Sequence, residues 1–277
     1  MILKEKKGVL FFQFPNLAEF PDIRHGIFTR NCGHSKSPYQ SLNVSLSVGD
    51  NNSDVKQNRQ IVSKCIKGNE LVFANQVHET NVLILLKNNA PLVEEAFGKP
   101  GVGDAMVADI PEKFLTVQVA DCQAVLMYDP FRRVVANVHC GWRGSINNII
   151  GKTIKIMADI FGCSASHIIA GISPSLGPCC AEFINYKTEI PKRLWKYKDR
   201  SNHFDFWSLS LDQLCNAGVL IENICLSQIC TRCNTDLFFS FRGQGTTGRT
   251  AAVIGLVYET FEKCPLPVIP AKAGIYN

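Results

Sequence analysis

Several features that define common protein classes are missing from this sequence of 277 residues. It contains no run of about 18 apolar residues, so we expect no segment that spans a membrane. Its 29 lysines and arginines exceed its 24 acidic residues, but they are scattered, and this pattern gives no support to nucleic-acid binding. No internal repeat is present. The first residues, MILKEKKGVLFFQF, lack the small-residue cleavage site of a signal peptide, and we interpret them as a first strand.

Cysteine, in contrast, is abundant, with twelve residues in the chain. A short secreted chain with so many cysteines would be a disulfide scaffold, but this chain is long and 46% hydrophobic, which is enough for a sizeable core. We therefore expect the reducing cytoplasm as its location and most cysteines as buried, inert residues. Cys179 and Cys180 are adjacent, and Cys230 and Cys233 form a CxxC pair. Because a lone CxxC is a weak signal for a metal or for redox chemistry, we interpret all four as structural.

The order of apolar runs and turn signals predicts an α+β fold with a single domain over residues 1–262. Because strands bunch together rather than alternate with helices, we expect mixed β-sheets with helices packed outside them. Residues 263–277, which are rich in proline, are expected to be a disordered tail. A helix is predicted over 145–161 with Ser145 as its N-cap. Weaker helical patterns lie at 53–66, 179–190 and 208–217, and strand-like runs lie at 9–14, 71–76, 81–86, 114–120, 123–128, 133–138, 167–172, 223–229, 236–241 and 250–257.

Three segments place a chemically reactive residue at the end of a strand-like run: His78 in FANQVHETNV, Cys122 in VADCQAVL and His139 in VHCGWRGS. Two imidazoles and one thiolate are a suitable ligand set for zinc, and three protein ligands leave a fourth position for water, as in catalytic zinc sites. Such a metal lowers the pKa of its bound water to about 7. The ligand spacings match no short metal motif, so the pattern alone favours a core histidine or an inert cysteine at each position.

A resemblance changes that interpretation. The blocks QVHETNV, VADCQAVLMYDP, VHCGWRGS, SPSLGPCCAEF and FFSFRGQGTTGR resemble, in this order, the signature blocks of the YfiH or laccase-domain family, and residues 25–59 resemble its N-terminal block. The resemblance runs from about residue 24 to 258. It implies a YfiH-like fold layered α/β/β/α, and it implies that His78, Cys122 and His139 bind zinc and carry the catalysis.

The same resemblance implies an activity. Members of this family were first described as polyphenol oxidases and later as zinc-dependent purine nucleoside phosphorylases. We therefore expect an enzyme that cleaves inosine, guanosine, adenosine and methylthioadenosine with phosphate and that also deaminates adenosine. Its partners are then small molecules, with no nucleic acid and no membrane. The sequence leaves open whether the chain is a monomer or a small homo-oligomer.

The chain departs from the family pattern at three positions. Cys140 replaces the alanine of HAGWRG, Ser173 replaces a glycine, and Ala181 replaces a tyrosine in the block around GPCC. The last two changes affect a loop that we expect at the border of the substrate site, so they bear on substrate preference. Adjacent residues of a strand point to opposite faces, and we expect Cys140 to face away from the metal.

Arginines in glycine-bounded segments are the candidates for holding phosphate. Arg143, Arg242 and Arg249 all stand in such segments, where the backbone can approach a ligand closely. A guanidinium fork suits phosphate, and phosphorolysis needs such a group. We select Arg242 and Arg143 as substrate or phosphate residues. Asn43, in SLNVSL, is a further candidate, either for ligand contact or for stabilising a turn.

Three alternatives remain open on the sequence. Two histidines and a cysteine also suit copper, which such a site can bind in vitro, and a copper polyphenol oxidase is the family's older description. A multicopper centre, however, uses several His-x-His pairs, and the six histidines form none. A metal-free cysteine hydrolase would use Cys122 as nucleophile and His139 as base, with no need for His78. A zinc-stabilised binding module would need a fourth ligand, for which Cys140 is the obvious candidate.

Overall fold

The computed structural model describes residues 1–68, 70–86 and 101–258, whose strands form two six-stranded sheets. Sheet 1 has the strand order β1 (Ile2–Lys6), β2 (Val9–Gln13), β3 (Ile23–Phe28), β12 (Thr250–Leu256), β7 (Lys113–Val119) and β4 (Glu70–Phe73). Sheet 2 has the order β11 (Ile224–Leu226), β10 (Ile169–Ile172), β8 (Gln123–Asp129), β9 (Val134–Cys140), β6 (Ala105–Ala108) and β5 (Val82–Leu85). Neighbouring strands are antiparallel except β4 with β7, β5 with β6 and β10 with β11. Both sheets are therefore mixed, as predicted.

The main core lies between the two sheets. Leu115 and Ile254 of sheet 1 share one buried cluster with Leu126 and Tyr128 of sheet 2. Strands β7, β8, β9 and β12 are buried along most of their length because each has one face on this core and one on an outer cluster. Their near-continuous apolar sequences follow from that position.

Helices cover the outer faces of both sheets. Helix α2 (Asn52–Ile66) packs on sheet 1, and helices α4 (Ile149–Phe161) and α6 (Phe206–Asn216) pack on sheet 2. The short helices are α1 (Pro15–Ala18), α3 (Trp142–Ile146), α5 (Tyr186–Glu189) and α7 (Phe241–Gln244). The helix–sheet–sheet–helix order confirms the α+β class and the layering expected from the sequence. Within residues 1–68, 70–86 and 101–258, no helix combines the length and apolar character that crossing a membrane requires.

The predicted helix over 145–161 is two helices, so this prediction is wrong at its start. Ser145 lies inside α3, where its hydroxyl donates to the carbonyl of Gly141 at 3.1 Å. The N-cap of α4 is Asn148, whose side chain accepts from the amide of Gly151 and whose φ is +55°. A left-handed residue interrupts a continuous helix, and asparagine tolerates that conformation better than most residues.

Two further predictions are wrong. Residues 236–240 form a turn and residue 241 begins α7, instead of a strand, because the backbone amides of Leu237 and Phe238 donate to the nearby carbonyl of Asn234. Residues 179–190 are helical only at α5. The residues just before α5 pair with a segment about 20 residues further along the chain, where the backbone amide of Phe183 donates to the carbonyl of Asn202. Strands β3 and β6 were not predicted, since β3 contains arginine, histidine and glycine and β6 (AMVA) contains a single β-branched residue. The predicted domain end at 262 and the tail 263–277 lie outside the described residues.

Candidate active site

His139 occupies the second-to-last position of β9 and is held by a buried carboxylate. Its Nδ1 lies 2.7 Å from Oδ1 of Asp104, and both side chains are almost fully buried. Asp104 directly precedes β6, which is antiparallel to β9, so strand pairing brings the two residues together. Because Nδ1 donates to Asp104, Nε2 is the ring nitrogen left to interact with other groups.

The same carboxylate also fixes the loop that carries His78. The backbone amides of Val77, His78 and Glu79 donate to Asp104 at 3.2, 2.9 and 2.8 Å. His78 has a φ of +63°, and these bonds stabilise that unusual backbone conformation. Asp104 therefore positions both histidines at once.

Cys122 completes a compact trio. It lies in the short turn between β7 and β8, and its Sγ is 4.0 Å from Nε2 of His78. The rings of His78 and His139 meet edge to face with centroids 4.8 Å apart. The ligand atoms of all three residues lie within 4.8 Å of one another. Three segments that are far apart in sequence thus converge on one point.

The electrostatics of the trio favour a thiolate. Burial alone would raise the pKa of Cys122, but the charge of His139 and hydrogen bonds from both histidines lower it to about 6. Burial alone would lower the pKa of His139, but the Cys122 thiolate and the Asp104 carboxylate raise it. Hydrogen bonds to His139 and to backbone amides likewise keep the pKa of Asp104 low despite its burial. The charges of Cys122, His139 and Asp104 therefore stabilise one another.

The geometry of this trio fits a metal ion with an open coordination position. In the described part of the chain, the cluster at this point contains three metal-ligating side chains and no fourth. Gly141 leaves the space beside them free: a Cβ there would lie 3.0 Å from Cδ2 of His78 and 3.2 Å from Sγ of Cys122. Cys140 is not a ligand, because its Sγ contacts the Ser145 hydroxyl at 3.3 Å and packs in the outer core of sheet 2.

Asp121 shapes the turn that presents Cys122. Its φ is +81°, and its carboxylate accepts from the hydroxyls of Thr231 and Ser240, each at 2.7 Å. The backbone amide of Arg242 donates to its other oxygen at 2.5 Å. Through this carboxylate, the segment 231–242 is attached to the residue directly before Cys122.

The trio lies in a cavity of about 580 Å³. Cavities of this size are typical of small-molecule sites. The side chains of His78, Cys122 and His139 line it together with four aromatic residues, which are Trp142, Phe183, Phe206 and Phe241. The cavity therefore joins a metal-ligating cluster to apolar surfaces on which a flat ring can pack.

All three arginines from glycine-bounded segments line this cavity. The Arg143 guanidinium is exposed and lies over the Trp142 ring at 4.3 Å. Arg242 donates from Nη1 to the carbonyl of Glu182 at 2.9 Å. The Arg249 guanidinium is half-buried and uses Nη1 for the carbonyls of Thr247 and Gly248. Among the described residues its Nε and Nη2 have no hydrogen-bond partner, so Arg249, which was not selected from the sequence, also has donors free for an anion.

Asn43 lies behind the lining of the cavity and is not part of it. The residue is fully buried, and its amide group donates to Ser45 and to Asp50. Its Oδ1 accepts from the backbone amides of Ser45 and Arg249 at 3.0 and 2.8 Å. The structure thus gives Asn43 the turn-stabilising contacts that the sequence left as one of two options, and it places Asn43 behind Arg249.

Ser173 and Ala181, two of the positions that depart from the family pattern, are buried as well. The Ser173 hydroxyl accepts from the amide of Ala124 at 2.8 Å, and Ala181 packs against Phe183 and Phe204 in a separate aromatic cluster. Neither residue lines the cavity, whereas Leu176 and Phe183 of the same loop do. Ser173 and Ala181 therefore affect a bound ligand only by changing how this loop packs.

Two acidic residues were missed as functional candidates. Asp104 follows GVG and opens a short strand, and Asp121 precedes Cys122 in an otherwise apolar segment. An acidic residue between a glycine-rich turn and a strand is a sequence signal for a functional role, because a carboxylate that becomes buried there requires charged or hydrogen-bonding partners. Which partners it has depends on the strand pairing, and the sequence did not reveal that pairing.

Comparisons with known proteins identify the family and the fold. A family model described as multi-copper polyphenol oxidoreductase laccase matches residues 24–257. A purine nucleoside phosphorylase of Bacteroides thetaiotaomicron is 30% identical over 259 residues, covering 88% of this chain and 94% of its own. The purine nucleoside phosphorylase YlmD of Geobacillus stearothermophilus is 31% identical over 83% of this chain and 89% of its own. The crystal structure of YlmD from that organism superposes with a TM-score of 0.80 at 28% identity, covering 92% and 98% of the two chains. The resemblance stated from the sequence is confirmed.

Proposed function

The chain belongs to the laccase-domain (YfiH) family, and from that premise we propose that it is a zinc-dependent purine nucleoside phosphorylase that also deaminates adenosine. One observation carries the proposal: three metal-ligating side chains with an open coordination position share a single cavity with three arginines. The names of the relatives support phosphorolysis, and the ligand set supports a catalytic metal.

The donor set favours zinc. His78 and His139 would each supply an imidazole nitrogen and Cys122 a thiolate, and such three-ligand sets occur in catalytic zinc sites. The ion would supply Lewis acidity in the cavity. Copper binds similar ligands and remains the alternative, but the absence of His-x-His pairs argues against a multicopper oxidase centre. Asp104 orients the two histidines, and the low pKa of Cys122 makes its thiolate available at neutral pH.

The cavity suits a purine nucleoside in size and in lining. The aromatic rings of Phe183, Phe206 and Phe241 offer surfaces for stacking of a base, an interaction that tolerates different bases. Inosine, guanosine, adenosine and methylthioadenosine share the purine ring and a ribose, so one such surface can accept all four. Their relative preference depends on the loop that carries Leu176 and Phe183.

Phosphorolysis requires phosphate next to the ribose. One phosphate oxygen bonds to the anomeric carbon, the glycosidic bond breaks, and its electron pair leaves with the base, giving ribose 1-phosphate and the free purine. Arg249 and Arg242 are the side chains that would hold the phosphate dianion, with Arg143 at the exposed edge. A guanidinium offers a donor fork that matches two phosphate oxygens.

Deamination needs no phosphate. Water adds to the purine carbon that carries the amino group, ammonia leaves, and adenosine becomes inosine. The two reactions thus share the base-binding surface and differ in whether an anion has to be held. This difference makes the arginines, rather than the metal ligands, the residues that separate the two activities.

Metal analysis of the variants tests the proposal. In protein purified without added metal, we expect His78→Ala, Cys122→Ala and His139→Ala each to lose one zinc equivalent while remaining folded, because an open catalytic site contributes less to folding than a closed one. Each variant should also lose adenosine deamination. Full zinc retention in Cys122→Ala contradicts the ligand assignment.

A metal-free cysteine hydrolase is the second candidate, and the low pKa of Cys122 beside His139 favours it. A nucleophile and a base would then act without the second imidazole. His78→Ala separates the two functions: a cysteine hydrolase keeps its activity in this variant, whereas the metal-dependent enzyme loses both metal and activity.

A further inference from the structure

Four cysteines that the active site does not use form a second cluster. Cys179 and Cys180 come from the loop after β10, and Cys230 and Cys233 from the segment after β11. Their sulfur atoms all lie within 4.8 Å of one another. Sγ of Cys233 is 3.7 Å from that of Cys179 and 3.6 Å from that of Cys180. Cys230 and Cys233, which have no second cysteine pair near them in sequence, thus lie next to Cys179 and Cys180 in the structure.

The two distances from Sγ of Cys233 match those of a tetrahedral metal site. Four thiolates bound at about 2.3 Å to one ion at tetrahedral angles are about 3.8 Å apart. A disulfide bond is far shorter, at about 2.05 Å, and all four cysteines are free. An iron–sulfur cluster places several atoms between its thiolates and so requires a wider arrangement. A single ion is the occupant that fits.

The surroundings of the cluster are those of a built site. Sγ of Cys230 accepts a hydrogen bond from the backbone amide of Gly177 at 3.3 Å, an interaction that stabilises a thiolate. Gly177 packs against Trp207, and a Cβ at this position would lie 2.7 Å from Cη2 of that ring and 3.1 Å from Cβ of Cys230. Cys180 and Cys230 are buried, while Cys179 and Cys233 are exposed and leave a path for an ion to enter.

We propose that Cys179, Cys180, Cys230 and Cys233 bind one structural zinc ion. Four protein ligands complete a tetrahedron and leave no open position, so the ion has no catalytic role and contributes instead to folding. Tetrahedral sites with four thiolates are characteristic of zinc, which also carries no redox chemistry. This inference does not depend on the proposed function.

The proposed ion would join two segments that form walls of the cavity. The loop that carries Cys179 and Cys180 also carries Leu176 and Phe183, which line the cavity. Thr231, directly after Cys230, donates its amide to the carbonyl of Ser175 and its hydroxyl to Asp121, the residue before Cys122. The ion therefore fixes the positions of these two segments relative to each other beside the active site.

Zinc content per chain tests this inference. We expect the wild-type protein, purified without added metal, to contain one zinc equivalent more than the double variant Cys179→Ser/Cys233→Ser, which should also have a lower melting temperature. With the proposed active-site ion, the totals are two and one. The control is Cys32→Ser/Cys215→Ser, which changes two exposed cysteines outside the cluster and should keep both equivalents. Unchanged zinc content in the cluster variant overturns the proposal.

A second experiment does not depend on whether that variant folds. In His78→Ala, which retains all four cluster cysteines, one zinc equivalent should remain, and cobalt(II) in its place should show the intense sulfur-to-metal absorption of a four-thiolate site. No metal in His78→Ala, or a disulfide between Cys233 and Cys179 or Cys180 in unreduced peptide maps of the wild type, overturns the proposal. If His78→Ala keeps every equivalent of the wild type while the cluster variant loses one, the cluster site stands and the active-site metal is refuted.

Discussion

The imidazole of His139 and the carboxylate of Asp104 form a buried pair, with Nδ1 and Oδ1 2.7 Å apart. The same carboxylate accepts three backbone amides from the loop that carries His78. One acidic side chain thus sets the orientation of one candidate ligand and the backbone of another. Residues that hold metal ligands in this way usually contribute tenfold to a hundredfold to metal affinity.

Asp104→Asn should therefore weaken zinc binding at the active site, but not at the four-cysteine cluster, by about tenfold to a hundredfold. An asparagine keeps one acceptor for His139 but presents an amino group to the amides of Val77 and Glu79, which are also donors. Competition with a zinc chelator measures the change. The matched control is Asp159→Asn, which removes an exposed carboxylate from α4 and should leave zinc affinity unchanged. Equal zinc affinity in Asp104→Asn and the wild type would refute the positioning role.

Cys140→Ala should keep both zinc and activity, although Cys140 adjoins His139. Its side chain is buried against α3 and α4, and burial raises the pKa of this thiol to about 12, so it stays protonated. We expect only a loss of packing, of about 1 kcal/mol in the free energy of unfolding. Cys122→Ala is the comparison, since the same chemical change should there remove the active-site zinc equivalent. Loss of zinc in Cys140→Ala would instead indicate a closed four-ligand site.

The arginines should separate the two proposed reactions. Arg242→Ala and Arg249→Ala should each reduce phosphorolysis of inosine by about tenfold to a hundredfold, because a charge-assisted hydrogen bond contributes roughly 1.5–3 kcal/mol. Deamination of adenosine should change less, since no dianion is held. Steady-state rates of both reactions with the same enzyme preparation give the ratio. An equal loss of both activities would show that these residues bind the nucleoside or support the fold.

His25 should make the fold sensitive to mild acid. The residue is buried on β3, where Nε2 accepts the amide of Phe14, and burial lowers its pKa to about 4. The unfolded chain, with a pKa near 6.5, then binds the proton more tightly than the folded one. The stabilisation is complete above pH 6.5 and is lost as the pH falls toward 4, by about 3 kcal/mol in total.

Denaturant unfolding at several pH values measures this effect. His25→Gln cannot titrate, so the part of the pH dependence between pH 6.5 and 4 that His25 causes should be absent. His34→Gln, which changes an exposed histidine, should retain the wild-type slope. Identical slopes in His25→Gln and the wild type would refute the prediction.

The sequence predicted the layered fold better than the local boundaries. Long apolar strands such as β8 and β9 and the amphipathic α2 followed from periodicity alone. Strand β3 did not, because its arginine, histidine and glycine obscure the pattern. The break between α3 and α4 depends on the left-handed conformation of Asn148, which no periodicity reveals.

For the candidate site, too, the sequence predicted some features and not others. Their positions at strand ends made His78, Cys122 and His139 candidates for a zinc site, but only the family resemblance favoured that interpretation, since their separation in sequence carries no metal motif. The role of Asp104 could not be predicted, because it depends on the pairing of β6 with β9. The second cysteine cluster was missed for the same reason: its two pairs meet only when the loops after β10 and β11 pack together.

Product analysis of inosine tests the central claim most directly. Zinc-loaded wild-type protein is incubated with inosine at increasing phosphate concentrations, and the products are separated by chromatography, with Cys122→Ala as the inactive control. We predict hypoxanthine and ribose 1-phosphate in equal amounts, formed only when phosphate is present. Inosine that stays intact at every phosphate concentration while zinc is bound would contradict the account.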